Sequence, residues 1–551
     1  MTRKPLLLAA LALLPMQMIP TLALAGDGDG GGWTAVIDGK EVPAPEIPMG
    51  DDEVVRKILD EGKNRNQVME HLRYITKEIG PRLTTSTRLE RSNEWCKEQY
   101  EKWGLSNARV EKWGEYPVRF DRGPSRASVM LRRERKNDQG EVTSVEFEKT
   151  RDLEFSTLAW TKGTDGPKRG PLVKEPRTEE EYEAVKDELS GAWILMRPPP
   201  AVGQRGIRGR LSDHFQRRVD ARKKAAEGTP MSELTIAQRM VFDGVAGWIS
   251  TTRDELVWTG GAPDWEERKL EEIPEDVHLV VRGSDYDYMN SRVADKEPIE
   301  LEVDANHILT AGPIPVFNTL AEIPGTEFPD EYVVISAHLD SWDGPGSEGC
   351  TDNGTGTAVT LEAARILMAA GAKPKRTILF ANWTGEEQGL LGSREWVKVN
   401  ESKWPKISAC FVDDGGTNYE GGLGVPDWQV DMLAAATAPT NNQFFDSVDN
   451  KPLNVNIRKG GKNETGGGGS DHASFLRVGI PGFFWDEIGR AEYRYGWHTQ
   501  KDTFDLAIPE YLKQSATNAA IVAYRLACAP TLLPRKDPNE KPEEAKEKKP
   551  E

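Results

Sequence analysis

Histidine and carboxylate side chains recur in short motifs between positions 338 and 503 of the 551-residue chain. In chain order the motifs are His338-Leu-Asp340, Asp352-Asn-Gly, Gly385-Glu386-Glu387, Asp413-Asp414 and His498-Thr-Gln-Lys-Asp502-Thr503. Imidazole nitrogens mixed with carboxylate oxygens are ligands that suit Zn²⁺. A carboxylate left between two half-sites could bridge two ions, so the motifs predict a dinuclear metal centre with hydrolytic chemistry.

The spacing leaves the division of the acids between the two ions open. We expect one ion to bind His338 together with Glu387 or Asp414. The other ion would bind His498 and the remaining acid, and Asp352 would bridge the two. A hydroxide shared between the ions is the expected nucleophile, because bound metal ions lower the pKa of water.

The general base is predicted within the pair of adjacent glutamates. One carboxylate of such a pair can face a metal while the other faces water, and Glu386 is assigned the second role. It would take a proton from the water and deliver it to the leaving amine. Asp340 lies two residues after His338 and could hydrogen-bond its imidazole and fix the tautomer. Asp502 could do the same for His498.

A glycine run at 466–469 precedes Ser470-Asp471-His472. No Lys-Ser/Thr follows it, so a phosphate-binding loop is excluded and a loop bordering the pocket is predicted. Asp471 and His472 are therefore candidate substrate contacts. Cys350, close to Asp352, is predicted to be a packed residue. The remaining histidines are predicted to be structural or surface residues, and these are His71, His214, His278 and His307.

Apolar runs and amphipathic stretches alternate in the second half of the chain. Strands are predicted at 332–337, 377–383, 407–412 and 480–485, and helices at 356–370 and 389–400. This alternation indicates an α/β fold with a mainly parallel mixed sheet sandwiched by helices. Because ligands bind beyond the carboxyl ends of such strands, the motifs that follow the strands should converge there.

Composition divides the chain into regions. A basic start, an apolar run and Ala23-Leu24-Ala25 predict a secretory signal over 1–25 and export to periplasm or medium. The other predicted regions are a flexible Gly-rich lead-in at 26–50, a catalytic domain in two pieces at 51–119 and 308–533, an inserted β-rich domain at 120–307, and a disordered charged tail at 534–551. Two helices separated near Gly80-Pro81 are predicted between 52 and 104.

The net charge of −18 excludes a nucleic-acid partner, because binding a phosphate backbone requires a basic face. After signal cleavage no segment is expected to span a membrane. The four cysteines are too scattered for a disulfide framework.

The motifs resemble those of the co-catalytic zinc exopeptidases, a family that includes secreted leucyl aminopeptidases, carboxypeptidase Q, glutamate carboxypeptidase and the transferrin receptor. The segments that carry the resemblance are Ala337-His-Leu-Asp-Ser-Trp-Asp343, Thr351-Asp-Asn-Gly354, Lys375-Arg-Thr-Ile-Leu379, Trp383-Thr-Gly-Glu-Glu-Gln-Gly389, Asp414-Gly-Gly-Thr417, Gly469-Ser-Asp-His472 and His498-Thr-Gln-Lys-Asp-Thr503. The first of these is most similar to carboxypeptidase Q. Residues 50–110 and 310–530 are covered.

The resemblance implies two Zn²⁺ ions and a phosphorylase/hydrolase-like fold with an inserted protease-associated domain. It implies Glu386 as the base and favours Asp414 over Asp413. The implied zinc ligands are His338, Asp352 as the bridge, Glu387, Asp414 and His498. Asn353 stands where many relatives have a second Asp, which should not remove a ligand.

The predicted function is that of an exported exopeptidase acting on short peptides, with the free N-terminus recognised by acidic groups near the ions. A dipeptidase or carboxypeptidase like carboxypeptidase Q is the first alternative. A non-catalytic binding protein of the transferrin-receptor type would lack ligands or base, and none is missing here. A glutaminyl cyclase uses one ion, whereas His338 and His498 supply both half-sites.

Overall fold

The computed structural model describes residues 32–198, 204–252, 254–461 and 468–536. The predicted signal at 1–25 and residues 537–551 of the predicted tail lie outside these ranges. Within them, no helix combines the length and apolar character needed to cross a lipid bilayer.

Strands and helices alternate along most of the described chain. The strands are β1 (Thr34–Ile37), β2 (Lys40–Pro43), β3 (Ser106–Lys136), β4 (Val142–Asp152), β5 (Phe155–Thr157), β6 (Lys168–Lys174), β7 (Trp193–Leu195), β8 (Gly247–Thr251), β9 (Val277–Val281), β10 (Ile299–Ile323), β11 (Phe328–His338), β12 (Arg376–Trp383), β13 (Ile407–Val412), β14 (Tyr419–Gly424), β15 (Asn456–Arg458), β16 (Gly482–Phe484) and β17 (Asp486–Ile488). The helices are α1 (Asp52–Asn64), α2 (Val68–Arg73), α3 (Thr87–Trp103), α4 (Glu179–Val185), α5 (Gln204–Ala226), α6 (Ile236–Arg239), α7 (Gly283–Ala294), α8 (Thr355–Ala369), α9 (Leu391–Val399), α10 (Val430–Thr437), α11 (His472–Leu476), α12 (Tyr493–Gly496) and α13 (Pro509–Cys528).

The catalytic sheet has the order β16-β13-β11-β12-β10. Its first four strands are parallel, and β10 is antiparallel to β12. The predicted mixed, mainly parallel sheet is therefore confirmed, and each of the four predicted strands overlaps one of β11, β12, β13 and β16. The predicted helices at 356–370 and 389–400 correspond to α8 and α9.

Alternate side chains of the parallel strands point to opposite faces of the sheet. Val333 and Ile335 of β11 join the large core formed with α1, α3, α8 and α13. Val334, between them, packs in a second cluster with Trp396 of α9 and Phe475 of α11. Both faces are thus covered by helices, which explains why the strands are continuously apolar.

The helices before the sheet begin and end at residues that suit their positions. The Ser86 side chain accepts a hydrogen bond from Leu89 N at the start of α3, and Gly104 adopts a left-handed conformation at its end. The break predicted at Gly80-Pro81 is present. The stretch before it holds two helices, α1 and α2, rather than the predicted one, because Arg65 ends α1 with a non-helical backbone.

The predicted insertion at 120–307 is continuous with the catalytic sheet. β3 and β10 pair antiparallel along most of their length and carry the chain out to a second group of strands, ordered β6-β7-β8-β9-β5. β6 to β9 are parallel, and α4 to α7 lie within the same region, so it is mixed α/β rather than β-rich. The predicted boundaries at 119/120 and 307/308 fall inside the two long strands.

The prediction of a flexible lead-in at 26–50 is wrong for residues 34–43. β1 and β2 form a hairpin around Asp38-Gly39, and both turn residues have positive φ. A two-residue turn with positive φ at both positions matches the right-handed twist of the strands that it joins. β1 also pairs in parallel with β15, and Ala35 is fully buried in the large core. The Gly-rich composition conceals the short apolar alternation that anchors this segment.

Candidate dinuclear metal centre

The motif residues meet at the carboxyl edge of the catalytic sheet. His338 ends β11, Glu386 and Glu387 follow β12, and Asp414 follows β13. Asp352 lies in the turn Cys350–Gly354 before α8, where the Asp352–Asn353 peptide bond is cis. The remaining candidate, His498, lies in the loop after α12. These strand ends converge because neighbouring parallel strands finish at the same edge.

Two three-residue groups share Asp352. In the first, His338 Nε2 lies 2.9 Å from Asp414 Oδ1 and 3.3 Å from Asp352 Oδ1. In the second, His498 Nε2 lies 2.9 Å from Asp352 Oδ2 and 2.9 Å from Glu387 Oε2. The candidate ligand atoms of each group lie within 4.8 Å of one another. One Asp352 oxygen faces each imidazole, and this pairs His338 with Asp414 and His498 with Glu387.

The electrostatics of this cluster suit bound cations. Burial and, to a smaller extent, the charge of Asp352 together raise the pKa of Glu387 to about 7. Burial also raises the pKa of Glu386 well above its usual range. Asp352 Oδ2 is buried, and His498 Nε2 lies 2.9 Å from it. Buried carboxylates gathered in one place need compensating positive charge, and divalent ions can supply it.

Glu386 lies beside these ligands without belonging to either group. Its Oε2 is 3.9 Å from His338 Nε2, and it lines the open cavity. The backbone N–H groups of Glu386 and Glu387 each donate to the carboxylate of Asp340 over 3.3 Å. Both glutamates line the cavity, but only Glu387 belongs to a group of candidate ligands.

Asp340 is placed near His338, but its contacts differ from those predicted. His338 Nδ1 lies 3.0 Å from the backbone oxygen of Asp340, while the Asp340 carboxylate is 3.6 Å away. That carboxylate also accepts a hydrogen bond from Thr84 Oγ1 over 3.2 Å. The backbone carbonyl is therefore the closer partner of the imidazole, and the carboxylate organises the loop that carries the glutamates.

Asp502 supports a different residue from the one predicted. Its carboxylate accepts hydrogen bonds from Thr351 N at 2.5 Å and Thr351 Oγ1 at 2.8 Å, and Asp352 N lies 3.4 Å away. The Asp502 carboxylate therefore holds the loop that carries Asp352. Proximity in sequence to His498 therefore misidentified the partner of Asp502.

Asp413 belongs to neither of the two groups of candidate ligands. Its backbone oxygen accepts a hydrogen bond from Asn353 Nδ2 over 2.7 Å. Burial and the adjacent Asp414 charge together raise the pKa of the Asp413 side chain to about 8. Between the doubled aspartates, Asp414 is the one in reach of His338.

A cavity of about 660 Å³ opens over the cluster. His472 lines it, and burial lowers the pKa of this imidazole to about 4, so it is neutral near pH 7. Asp471, the other predicted substrate contact, is buried and is not part of the lining. Sequence reasoning did not identify the remaining side chains of the wall, which include Arg394, Arg477, Phe484, Tyr493 and Trp497.

The inserted region reaches the site through the loop of His498. Thr259 N and Thr259 Oγ1 donate to the backbone oxygen of His498 over 2.9 and 3.1 Å. The Gln500 side chain accepts a hydrogen bond from Val257 N at 2.7 Å, and Gln500 N donates to Val257 O at 3.2 Å. These contacts join positions about 240 residues apart, so no local sequence signal could reveal them.

The other histidines and the cysteines are structural. Burial lowers the pKa of His278 and of His307 to about 3, and both rings form hydrogen bonds inside the inserted region. His214 is also buried there. His71 contacts Glu362 at 3.0 Å. All four cysteines are buried and free, and burial raises the pKa of the Cys350 thiol well above its usual range, as suits a packed residue.

The chain is similar to known peptidases. Residues 318–523 match the model of Peptidase family M28. Carboxypeptidase Q of Mus musculus is 26% identical over 476 residues, which cover 86% of this chain and 88% of the mouse protein. Carboxypeptidase Q of Rattus norvegicus is 31% identical over 251 residues, covering 45% of this chain and 49% of the rat protein. A Peptidase M28 precursor from Shewanella amazonensis has a solved structure with the same fold, with a TM-score of 0.54, 21% identity, and coverage of 88% of this chain and 98% of that chain.

Proposed function

Because the chain carries a peptidase family M28 domain, we propose that it is a dinuclear zinc exopeptidase that hydrolyses peptide bonds of short peptides. The observation that carries the proposal is the sharing of Asp352 between two groups of zinc-type ligands. The proposed ligands are His338 and Asp414 for one ion and His498 and Glu387 for the other. When bound, the two ions would polarise the scissile carbonyl and make the attacking water more acidic.

Glu386 is proposed as the general base. It lines the cavity beside both groups without belonging to either, so its carboxylate is available to water. It accepts a proton from the attacking water and donates it to the amine nitrogen as the peptide bond breaks.

Asp340 is proposed as a positioning residue. Its carboxylate holds the backbone of Glu386 and Glu387 through two hydrogen bonds. This arrangement orients Glu387 for metal binding and Glu386 for proton transfer. His472 is proposed to contact substrate as a neutral imidazole from the cavity wall.

An aminopeptidase is the first candidate activity, with the substrate amine held by carboxylates beside the ions. A dipeptidase or carboxypeptidase activity like that of carboxypeptidase Q is the second candidate. It is supported by the similarity to mouse carboxypeptidase Q, which extends over 88% of the mouse protein. Three substrates separate them: an aminoacyl-nitroanilide, an unblocked dipeptide and an N-blocked peptide. An aminopeptidase cleaves the first two and leaves the third intact. A dipeptidase cleaves only the second, and a carboxypeptidase cleaves the third.

Export is proposed for the protein, supported by the basic, apolar and small-residue order over residues 1–25. The N-terminal sequence of the mature protein tests this. Cleavage after Ala25 gives a first residue of Gly26, whereas an uncleaved start contradicts the proposal.

A further inference from the structure

Two arginines lie in the wall of the cavity that contains the candidate metal ligands. Arg394 belongs to the first turn of α9, and Arg477 directly follows α11. Both side chains are exposed. Within the part of the chain that the structure describes, neither guanidinium forms an ion pair or a side-chain hydrogen bond. Their charge is therefore available to a molecule that enters the cavity.

The charge balance of the cavity singles out these two residues. Its lining holds four carboxylates, those of Asp352, Glu386, Glu387 and Asp414. Two divalent cations would balance these carboxylates. The rest of the lining consists of imidazoles, glycines, aromatic rings, a leucine and the two guanidinium groups. With the metals bound, the two arginines give the wall a net positive charge, even after the single negative charge of a hydroxide shared between the ions is counted.

The two guanidinium groups are close enough to affect each other. Burial lowers the pKa of Arg394, and the charge of Arg477 lowers it further, while Asp471 acts in the opposite direction. Asp471 is buried and does not line the cavity, so it cannot be reached by a ligand as the arginines can. An anion between two like charges removes their repulsion and accepts charge-assisted hydrogen bonds.

We propose that Arg394 and Arg477 form a carboxylate-binding subsite, which selects peptides carrying a carboxylate close to the scissile bond. The inference rests on the proposed peptidase function and deepens it by naming the substrate class. The carboxylate can be the free C-terminus of a very short peptide or an acidic side chain. A cavity of about 660 Å³ has the size of a site for a small ligand, which places any bound carboxylate near the metal ligands.

Kinetics with matched substrates tests the subsite. The zinc-loaded protein is assayed with Leu-Leu, Leu-Leu amide and Leu-Glu amide, so that C-terminal and side-chain carboxylates are compared with a neutral peptide. We expect a preference for at least one carboxylate-bearing peptide. In the double variant Arg394→Gln/Arg477→Gln, KM for that peptide should rise roughly 10- to 100-fold with little change in kcat, since hydrogen bonds between charged groups have this strength. KM for Leu-Leu amide should stay the same.

Lys398→Gln is the matched control, because Lys398 is an exposed cation on the same helix and does not line the cavity. It should leave all three KM values unchanged. Equal KM changes for the neutral and charged peptides in the double variant would overturn the inference. Equal kcat/KM of the wild type for all three peptides would also overturn it, although the proposed peptidase function would still hold.

Binding without turnover separates the subsite from catalysis. Glu386→Gln protein is titrated with Leu-Leu, Leu-Glu amide and Leu-Leu amide in a calorimeter. We expect tighter binding of a carboxylate-bearing peptide, roughly 10-fold or more, and loss of that difference when the two arginine substitutions are added. If the wild type hydrolyses none of the peptides, the proposed function fails, and this titration still tests the subsite. Equal binding of all three peptides would refute it.

Discussion

Asp352 connects the two halves of the candidate centre, since each of its carboxylate oxygens faces a different imidazole. Two hydrogen bonds from Thr351 to Asp502 and the nearby Asp352 N–H fix the loop that carries it. The centre is therefore supported by acids that bind no metal themselves. Mutation of such supporting residues typically lowers metal affinity or activity by about 10- to 100-fold.

Glu386→Gln should lower kcat by about 10²- to 10⁴-fold, because the amide cannot take a proton from water. Metal content should stay at the wild-type level, since Glu386 lies outside both ligand groups. Steady-state kinetics and elemental analysis of the same sample measure both quantities. Glu395→Gln, a change in the neighbouring helix α9 outside the cavity lining, is the control. Full activity in Glu386→Gln would rule out the assignment of the base.

The sequence was sufficient to propose the candidate site residues, because strand-end positions and ligand chemistry are local signals. Their partition between two groups required coordinates, since spacing alone left Glu387 and Asp414 exchangeable. The roles of supporting residues were harder to predict. Asp340 and Asp502 were correctly placed near the centre, but their hydrogen-bond partners depend on tertiary contacts with Glu386 and Thr351.

Helices and strands of the catalytic sheet were predictable at the scale of elements, because their apolar runs are long and are buried on both faces. The inserted region was less so. Its strands β5 to β9 are short, and β3, one of the two long connecting strands, carries mostly exposed or partly exposed residues. The contact between this region and the His498 loop joins segments that are distant in sequence. Composition does not indicate that the inserted region holds the loop of a candidate metal ligand.

Gln500→Leu should weaken metal binding roughly 10-fold, because the Gln500 side chain ties the His498 loop to residues 255 and 257 through hydrogen bonds to their backbone. Titration of the metal-free protein with zinc measures the affinity. The exposed Gln139→Leu serves as the matched control and should bind zinc like the wild type. An unchanged affinity in Gln500→Leu would show that the inserted region does not position this ligand.

The inserted region should lose stability as the pH falls below about 6.5. Burial lowers the pKa of His278 and His307 from 6.5 to about 3, so both stay neutral in the folded state while the unfolded chain binds protons. For each of the two histidines, the unfolding free energy should fall by about 1.4 kcal/mol for every pH unit between pH 6.5 and about pH 3. Urea unfolding at pH 7 and pH 4 measures the loss. His278→Gln should make the dependence shallower, and an equal slope in both proteins would contradict the explanation.

At the scale of the whole molecule, the ligands come from β11, from the loops around β12, β13 and α8, and from the His498 loop. A metal that binds all of them stabilises only the folded chain. Zinc at 100 times its dissociation constant should therefore raise the unfolding free energy by about 2.7 kcal/mol per site. Thermal unfolding with zinc and with a chelator measures this shift. An identical midpoint in both conditions would mean that the cluster does not hold metal.

Metal stoichiometry is the most direct test of the shared-aspartate centre. Elemental analysis of the purified protein after dialysis should find two zinc ions per chain, and chelation should remove both the zinc and the peptidase activity. Asp352→Asn should retain less than one ion, because its amide cannot serve as an anionic bridge, while the control Asp330→Asn, at an exposed position, should retain two. One ion or none in the wild type, or two ions retained by Asp352→Asn, would contradict the account.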